Sequence, residues 1–232
     1  MNRLPIEDVL PDLRQALAER SNALLTAPPG AGKTTVVPLA LLDEAWLAGK
    51  KLLMLEPRRL AAKAAAHRMA ATLGESVGQS VGYRMRLDTK VGTMTRIEVV
   101  TEGVLTRLLI RNPELDGYGA VLFDEFHERS LQADTGLALA LETQRLVRPD
   151  LRLLVMSATL NCGPVSDLLG GARVISCAGR TFAVDTRYLD RPLKGPLEAA
   201  VVQSIRRSLA QDSGSLLVFL PGMAEIRRVE RA

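Results

Sequence analysis

The sequence predicts an α/β fold in which a mostly parallel sheet is covered by helices on both faces, and three observations carry that prediction. From residue 22 onward short apolar runs alternate with longer helix-type segments, the order expected when crossover helices join parallel strands. The strand-type runs, such as KLLMLEP (51–57) and LRLLVMSA (151–158), are nearly continuous in Leu, Val and Met, as strands buried on both faces require. A Gly/Pro turn, APPGAGKTT (27–35), leads from the first of these runs straight into a helix-type segment. That is the context in which a strand, a tight loop and a helix amino terminus form one unit.

The elements follow in order. NALLTAP (22–28) is the first strand, and TTVVPLALLDEAWLAG (34–49) reads as a helix whose early turns Pro38 should disturb. KLLMLEP is the second strand; RRLAAKAAAHRMAATLG (58–74) is an alanine-rich helix stopped by Gly74. Strands are expected within SVGYRMR (80–86) and TRIEVVT (95–101), then a short helix over EGVLTRLLI (102–110). GAVLFDE (119–125) is a strand, SLQADTGLALALETQRL (130–146) a helix and LRLLVMSA a strand, and ARVISCAG (172–179) and FAVDTRYL (182–189), the latter also readable as an exit linker, close the region. These pieces make a first domain over 1–185. Residues 186–232 read as a linker, RPLKGP, and the start of a second domain: a helix over 196–210, a strand at SLLVFLP (215–221) and a further helix from 223. One strand and two helices cannot close a core of their own, so the second domain is expected to be truncated.

Composition narrows the function classes. With 47% hydrophobic and 24% charged residues in 232, the chain is globular and large enough for a full core. A net charge of +4, with basic residues spread among acids, permits a polyanionic partner whose surface must be assembled by folding. Cys162 and Cys177 are the only cysteines and His67 and His127 the only histidines, with no CxxC. A metal cluster and a disulfide framework are therefore not expected. The first 21 residues carry acids and prolines, and no run reaches membrane-spanning length, so the expected location is the cytoplasm, without a membrane partner.

APPGAGKTT has the residues a phosphate-binding loop needs. Gly30 and Gly32 let the backbone curl so that N–H groups converge on phosphate oxygens at a helix amino terminus. In this reading Pro29, Gly30, Ala31, Gly32, Lys33, Thr34 and Thr35 bind the nucleotide. Lys33 reaches the β- and γ-phosphates, the Thr34 hydroxyl binds Mg²⁺, and Thr35 packs or caps. Ala27 stands where the usual pattern opens on glycine, a mild departure because the demanding turn positions remain glycine.

VLFDEFHERS (121–130) places acids at the end of an apolar strand. A triphosphate needs a metal held opposite the loop and a water aligned for attack. Asp124 is placed to approach the metal through a coordinated water, and Glu125 to align or deprotonate the attacking water. His127 lacks partners at metal-ligand spacing and is expected to hydrogen-bond across the cleft. Glu128 and Arg129 are expected to pair with each other or to meet a partner domain, and Phe126 to pack. SAT (157–159) ends the next strand, so Ser157 and Thr159 can carry hydrogen bonds from the acids if the two strands are neighbours.

Taken together and in order, APPGAGKTT, LEPRRLAA, TEGVLTR, DEFHERS and SAT resemble the motifs of superfamily 2 helicases of the DEAH/RHA type, with Phe126 where that family's name has alanine. DEFHERS with VGYRMR and LLVFLPG most resembles a bacterial branch of the family, and the resemblance runs over essentially the whole chain. It implies a RecA-like P-loop NTPase domain, the start of a second RecA-like domain, and ATP-driven work on nucleic acid. It also implies ATP with Mg²⁺ as cofactors, other nucleoside triphosphates being admitted. Lys33, Asp124, Glu125 and His127 then match catalytic positions, Thr34 and Asp124 the metal positions, and Ser157 and Thr159 the motif coupling hydrolysis to unwinding. Arg58, Arg59, Thr101, Glu102 and Gly103 match positions that meet single-stranded RNA, or DNA, through phosphates. Arg84 and Arg86 add charge to the same face or serve edge-strand solubility. The family's arginine fingers lie in a second domain supplied in cis, and no QRxGRxGR-like run occurs here, so weak hydrolysis by the piece alone is expected. Two other readings fit the loop and acids: an NTPase that remodels protein partners, and a non-catalytic nucleotide-dependent interaction module.

Overall fold

The computed structural model describes residues 3–158, 162–179, 183–189 and 195–232. Two compact units divide it, Met1–Thr181 and Phe182–Ala232. The first contains helices α1 (Leu10–Glu19), α2 (Lys33–Ala40), α3 (Arg59–Thr72), α4 (Glu102–Arg111), α5 (Leu131–Leu146) and α6 (Cys162–Leu168). Its strands are β1 (Asn22–Thr26), β2 (Lys51–Leu55), β3 (Val81–Met85), β4 (Asp88–Lys90), β5 (Ile97–Val100), β6 (Tyr118–Phe123), β7 (Arg152–Ser157) and β8 (Arg173–Ser176). They form one eight-stranded sheet in the order β4-β3-β5-β2-β6-β7-β1-β8. Every pairing is parallel except the β3–β4 hairpin at the edge. This is the RecA-like α/β arrangement that the resemblance implied.

Alternating side chains of the central strands feed two apolar layers. Ala120 and Leu122 of β6 join Leu13, Val37, Ala62 and Met69 from α1, α2 and α3. Val121 and Phe123 join Leu105, Ala133, Leu137 and Val165 from α4, α5 and α6. Each face is therefore covered, and Phe123, fully buried, contributes about 1.5–3 kcal/mol by leaving water.

The register lines up the strand ends that carry the sequence motifs. Thr26 is paired with Ser157 across β1 and β7, Phe123 with Val155 across β6 and β7, and Leu55 with both Phe123 and Val100. The loop after β1, the acids after β6, Ser157, the segment after β2 and Thr101 after β5 thus share the carboxyl edge of one sheet, where parallel α/β sheets place their ligands. β6 and β7 are neighbours, as the reading of the SAT segment required.

Several expectations fail in physically instructive ways. The helix expected over 34–49 ends at Ala40, two residues past Pro38, whose missing N–H and ring break the ladder; a 3₁₀ turn, Ala45–Leu47, follows. The SLLVFLP segment is not a strand. An apolar run becomes a strand only when a neighbour accepts its backbone hydrogen bonds, and no strand of the second unit is present among the described residues. That unit consists of α7 (Leu197–Gln211) and α8 (Met223–Arg231), joined by the Arg228–Glu198 ion pair at 2.6 Å. α1, α6 and β4 were not anticipated.

Candidate active site at the carboxyl edge of the sheet

The loop is a left-handed backbone turn standing on the amino-terminal segment. Gly30 has φ +77° and Gly32 φ +103°, values that a Cβ disfavours. At Gly32 a Cβ would also lie 3.0 Å from Ile6 and Leu4 side-chain carbons. Ile6 N–H donates to the Ala31 carbonyl (3.2 Å), and Ala31 N–H donates to that of Pro28 (3.2 Å). The amino-terminal turn is thereby the floor of the loop. α2 begins at Lys33, so its first N–H groups and the positive end of its dipole lie at the loop.

Lys33 is 3% exposed, and its Nζ lies 2.9 Å from Glu125 Oε1. Glu125 reaches it because its backbone is left-handed, φ +49°, a conformation that costs on the order of 1–2 kcal/mol outside glycine. Such strain persists where the surroundings over-determine it, and here the ion pair and the following 3₁₀ turn, Phe126–Glu128, do so.

Asp124 is 2% exposed. Its Oδ1 accepts from Glu125 N–H at 2.9 Å, while its buried Oδ2 has no hydrogen-bond partner. Burial, reinforced by the Glu125 charge, pushes its pKa up to about 6, against the pull of the Thr34 hydroxyl and Lys33. Glu56, buried after β2, is pushed up to about 7 by burial and then by the Asp124 charge. Clustered carboxylates with an unpartnered oxygen are stabilised by a cation. No group of three or more His, Cys, Asp or Glu that could hold a metal occurs among the described residues. One carboxylate and a hydroxyl beside phosphate oxygens is, however, a donor set that suits Mg²⁺, so Thr34 and Asp124 fit that ion.

His127 Nδ1 accepts from Ala158 N–H at 3.3 Å and stands 3.3 Å from Glu125 Oε2. It ties the acid turn to the SAT segment. Ser157 is fully buried, and its Oγ has no partner; Thr159 lies outside the described residues. Glu128 and Arg129 do not pair with each other. Glu128 pairs with Arg58, at 2.6 Å and 3.2 Å, and Arg129 with Asp134, at 2.8 Å and 3.2 Å, because the backbone at Arg129, φ +45°, turns its side chain toward α5.

Arg58 is the exposed residue before α3 and makes no side-chain capping bond, and Arg59 donates to the Arg86 carbonyl at 3.1 Å. Thr101 is the residue before α4, Glu102 accepts from Ser130 Oγ, and Gly103 is exposed. These five stand at the same sheet edge as the acids. Glu56 was missed by sequence reasoning, because its place beside Asp124 follows from the pairing of β2 with β6.

The sequence profile of the DEAD/DEAH box helicase family matches residues 9–168. The ATP-dependent RNA helicase HrpB of Escherichia coli strain K12 is 52% identical over 230 residues, which are 99% of this chain and 28% of that protein. The crystal structure of the E. coli DEAH/RHA helicase HrpB superposes with a TM-score of 0.91 at 51% identity, covering 98% of this chain and 29% of that one. A crystal structure of the E. coli DExH-box NTPase HrpB gives 0.81 at 51% identity, covering 100% and 28%. The chain therefore spans under a third of the length of these relatives.

Proposed function

Because this chain belongs to the DEAD/DEAH box helicase family, we propose that it carries the ATP-binding half of an ATP-dependent RNA helicase, with a first RecA-like domain over 1–185 and the start of a second over 186–232. One observation carries the reading: Lys33 Nζ of the loop stands 2.9 Å from Glu125 of the acid turn, beside a buried Asp124 oxygen without a hydrogen-bond partner. A lysine, a water-directed carboxylate and a metal-directed carboxylate thus converge from two strand ends.

The N–H groups of the loop from Gly30 to Gly32 and of the first turn of α2, Lys33 to Thr35, cradle phosphate oxygens. Lys33 exchanges Glu125 for those oxygens and neutralises charge that grows during transfer. Mg²⁺, held by the Thr34 hydroxyl and by Asp124 through water, would supply further neutralisation at the phosphates. Glu125, released from Lys33, orients a water and accepts its proton. His127 holds the acid turn against Ala158, and Ser157 and Thr159 pass the state of the site onward. Arg58, Arg59 and the amino terminus of α4, at Thr101, Glu102 and Gly103, bind phosphates of single-stranded nucleic acid. The name of the E. coli relative favours RNA; phosphate contacts alone would serve DNA as well.

Titration with a fluorescent ATP analogue tests this. The chain should bind it with Mg²⁺, and Lys33→Ala should weaken binding by about tenfold or more, as loss of a charge-assisted phosphate contact costs roughly 1.5–3 kcal/mol. Equal binding by Lys33→Ala, or none by the unaltered chain, would contradict the proposal.

A further inference from the structure

The phosphate loop leans on a residue outside its own motif. β8 goes on pairing with β1 one step beyond its last residue, because Cys177 N–H donates to the Thr26 carbonyl at 2.7 Å. Residues 177–179 therefore run beside 26–28 to the base of the loop, while on the other side Ala27 N–H donates to the Ser157 carbonyl at 3.0 Å. Gly179 is exposed and its φ lies outside the left-handed region, so neither burial nor backbone conformation calls for glycine there. Close approach does: a Cβ at Gly179 would overlap Pro28 Cγ and stand 3.0 Å from Pro28 Cβ.

Pro28 passes that contact into the loop. Its carbonyl accepts from Ala31 N–H at 3.2 Å, and the Ala31 carbonyl accepts in turn from Ile6 N–H at 3.2 Å. The loop is thus clasped between the segment after β8 and the amino-terminal turn. A carbonyl aimed into an anion cradle would repel phosphate oxygens, and the Ala31 carbonyl is engaged by Ile6 instead. We propose that Gly179 is a positioning residue for nucleotide binding: its missing side chain lets the Pro28 ring sit where it aligns Ala31, so that the loop is set for a triphosphate before one arrives. The inference rests on the nucleotide-site reading of the loop. A cradle formed in advance spends no binding free energy on ordering, so the contribution of Gly179 is read as affinity.

The test is titration of this chain with a fluorescent ATP analogue and Mg²⁺. Gly179→Ala displaces the Pro28 ring and should weaken binding by about two- to tenfold, the range for one neutral hydrogen bond lost or bent. Relief is the signature: Pro28→Ala deletes the ring atoms that the new methyl group meets, so in the Pro28→Ala background Gly179→Ala should change affinity by less than about twofold. Ile175→Val thins the buried packing of β8 itself and should lower the melting temperature while leaving affinity unchanged, which separates a looser strand from a displaced loop. The rise in melting temperature on adding the analogue reads the same affinities in a chain that Gly179→Ala destabilises. Equal affinity of Gly179→Ala and the unaltered chain would overturn the proposal while the nucleotide reading stood. A loss that persists undiminished beside Pro28→Ala would overturn it too, because the effect would not pass through the ring, and so would an equal loss in Ile175→Val. No binding by the unaltered chain would overturn both readings.

Discussion

Glu125 sits in a left-handed turn with its carboxylate on Lys33, and that residue separates binding from chemistry. Glu125→Gln keeps a polar group of the same shape and removes the proton acceptor that we propose. Nucleotide affinity should hold within a few-fold while single-turnover hydrolysis falls by about 10²–10⁴; equal losses in both would show that the residue serves binding only. Ser157 makes a second residue-level prediction. Its hydroxyl is buried without a partner, so Ser157→Ala should leave thermal stability within about 0.5 kcal/mol or raise it, while weakening RNA stimulation of hydrolysis. A loss of about 2 kcal/mol in the melt would show that the hydroxyl is satisfied in the folded protein. Most of the proposed site was legible at this scale, since Lys33, Thr34, Asp124 and Glu125 are defined by short spacings next to strand ends. Glu56 and the Arg58–Glu128 pair escaped because they depend on β2 and β6 being adjacent, a fact of strand order that no local spacing encodes.

At the scale of elements, the connection from α5 to β7 is held by Arg148. Its guanidinium donates to the carbonyls of Glu114, Leu115 and Tyr118 and pairs with Asp150. Arg148→Met should destabilise the fold by about 2–3 kcal/mol, since charge-assisted bonds to several carbonyls are lost together; urea denaturation measures it. Arg148 and then Lys50 hold the Asp150 carboxyl well below the usual carboxylate range. The unfolded chain therefore takes up the proton first as pH falls, and the stabilisation is present above about pH 4 and disappears below it. The melting difference between the unaltered chain and Asp150→Asn should accordingly be present at pH 7 and shrink below pH 4; a difference that grows with acid would contradict the assignment. The long central strands and α3, α4 and α5 were legible because their apolar patterns are strong. α2 was overextended because periodicity continued past Pro38, and the 215–221 run was misread because apolar sequence does not supply a pairing partner.

At the scale of the whole molecule, the residues we propose to bind nucleotide all belong to Met1–Thr181, while Phe182–Ala232 forms its own unit. The second unit buries no residue of α7 or α8 and leaves Leu217 and Phe219 exposed. A chain ending at residue 181 should therefore bind the nucleotide analogue with unchanged affinity and bind less of an apolar-surface dye; loss of nucleotide binding would place part of the site in the second unit. Among the described residues no helix is long and apolar enough to cross a membrane. We propose that the Lys33–Glu125 site drives work on nucleic acid in the full-length protein. Its most direct test is ATP turnover by the full-length protein with and without single-stranded RNA, beside the same protein carrying Glu125→Gln. Strong stimulation by RNA that vanishes in the variant is expected. Turnover unchanged by RNA and by DNA alike would contradict it and leave an NTPase that acts on other partners.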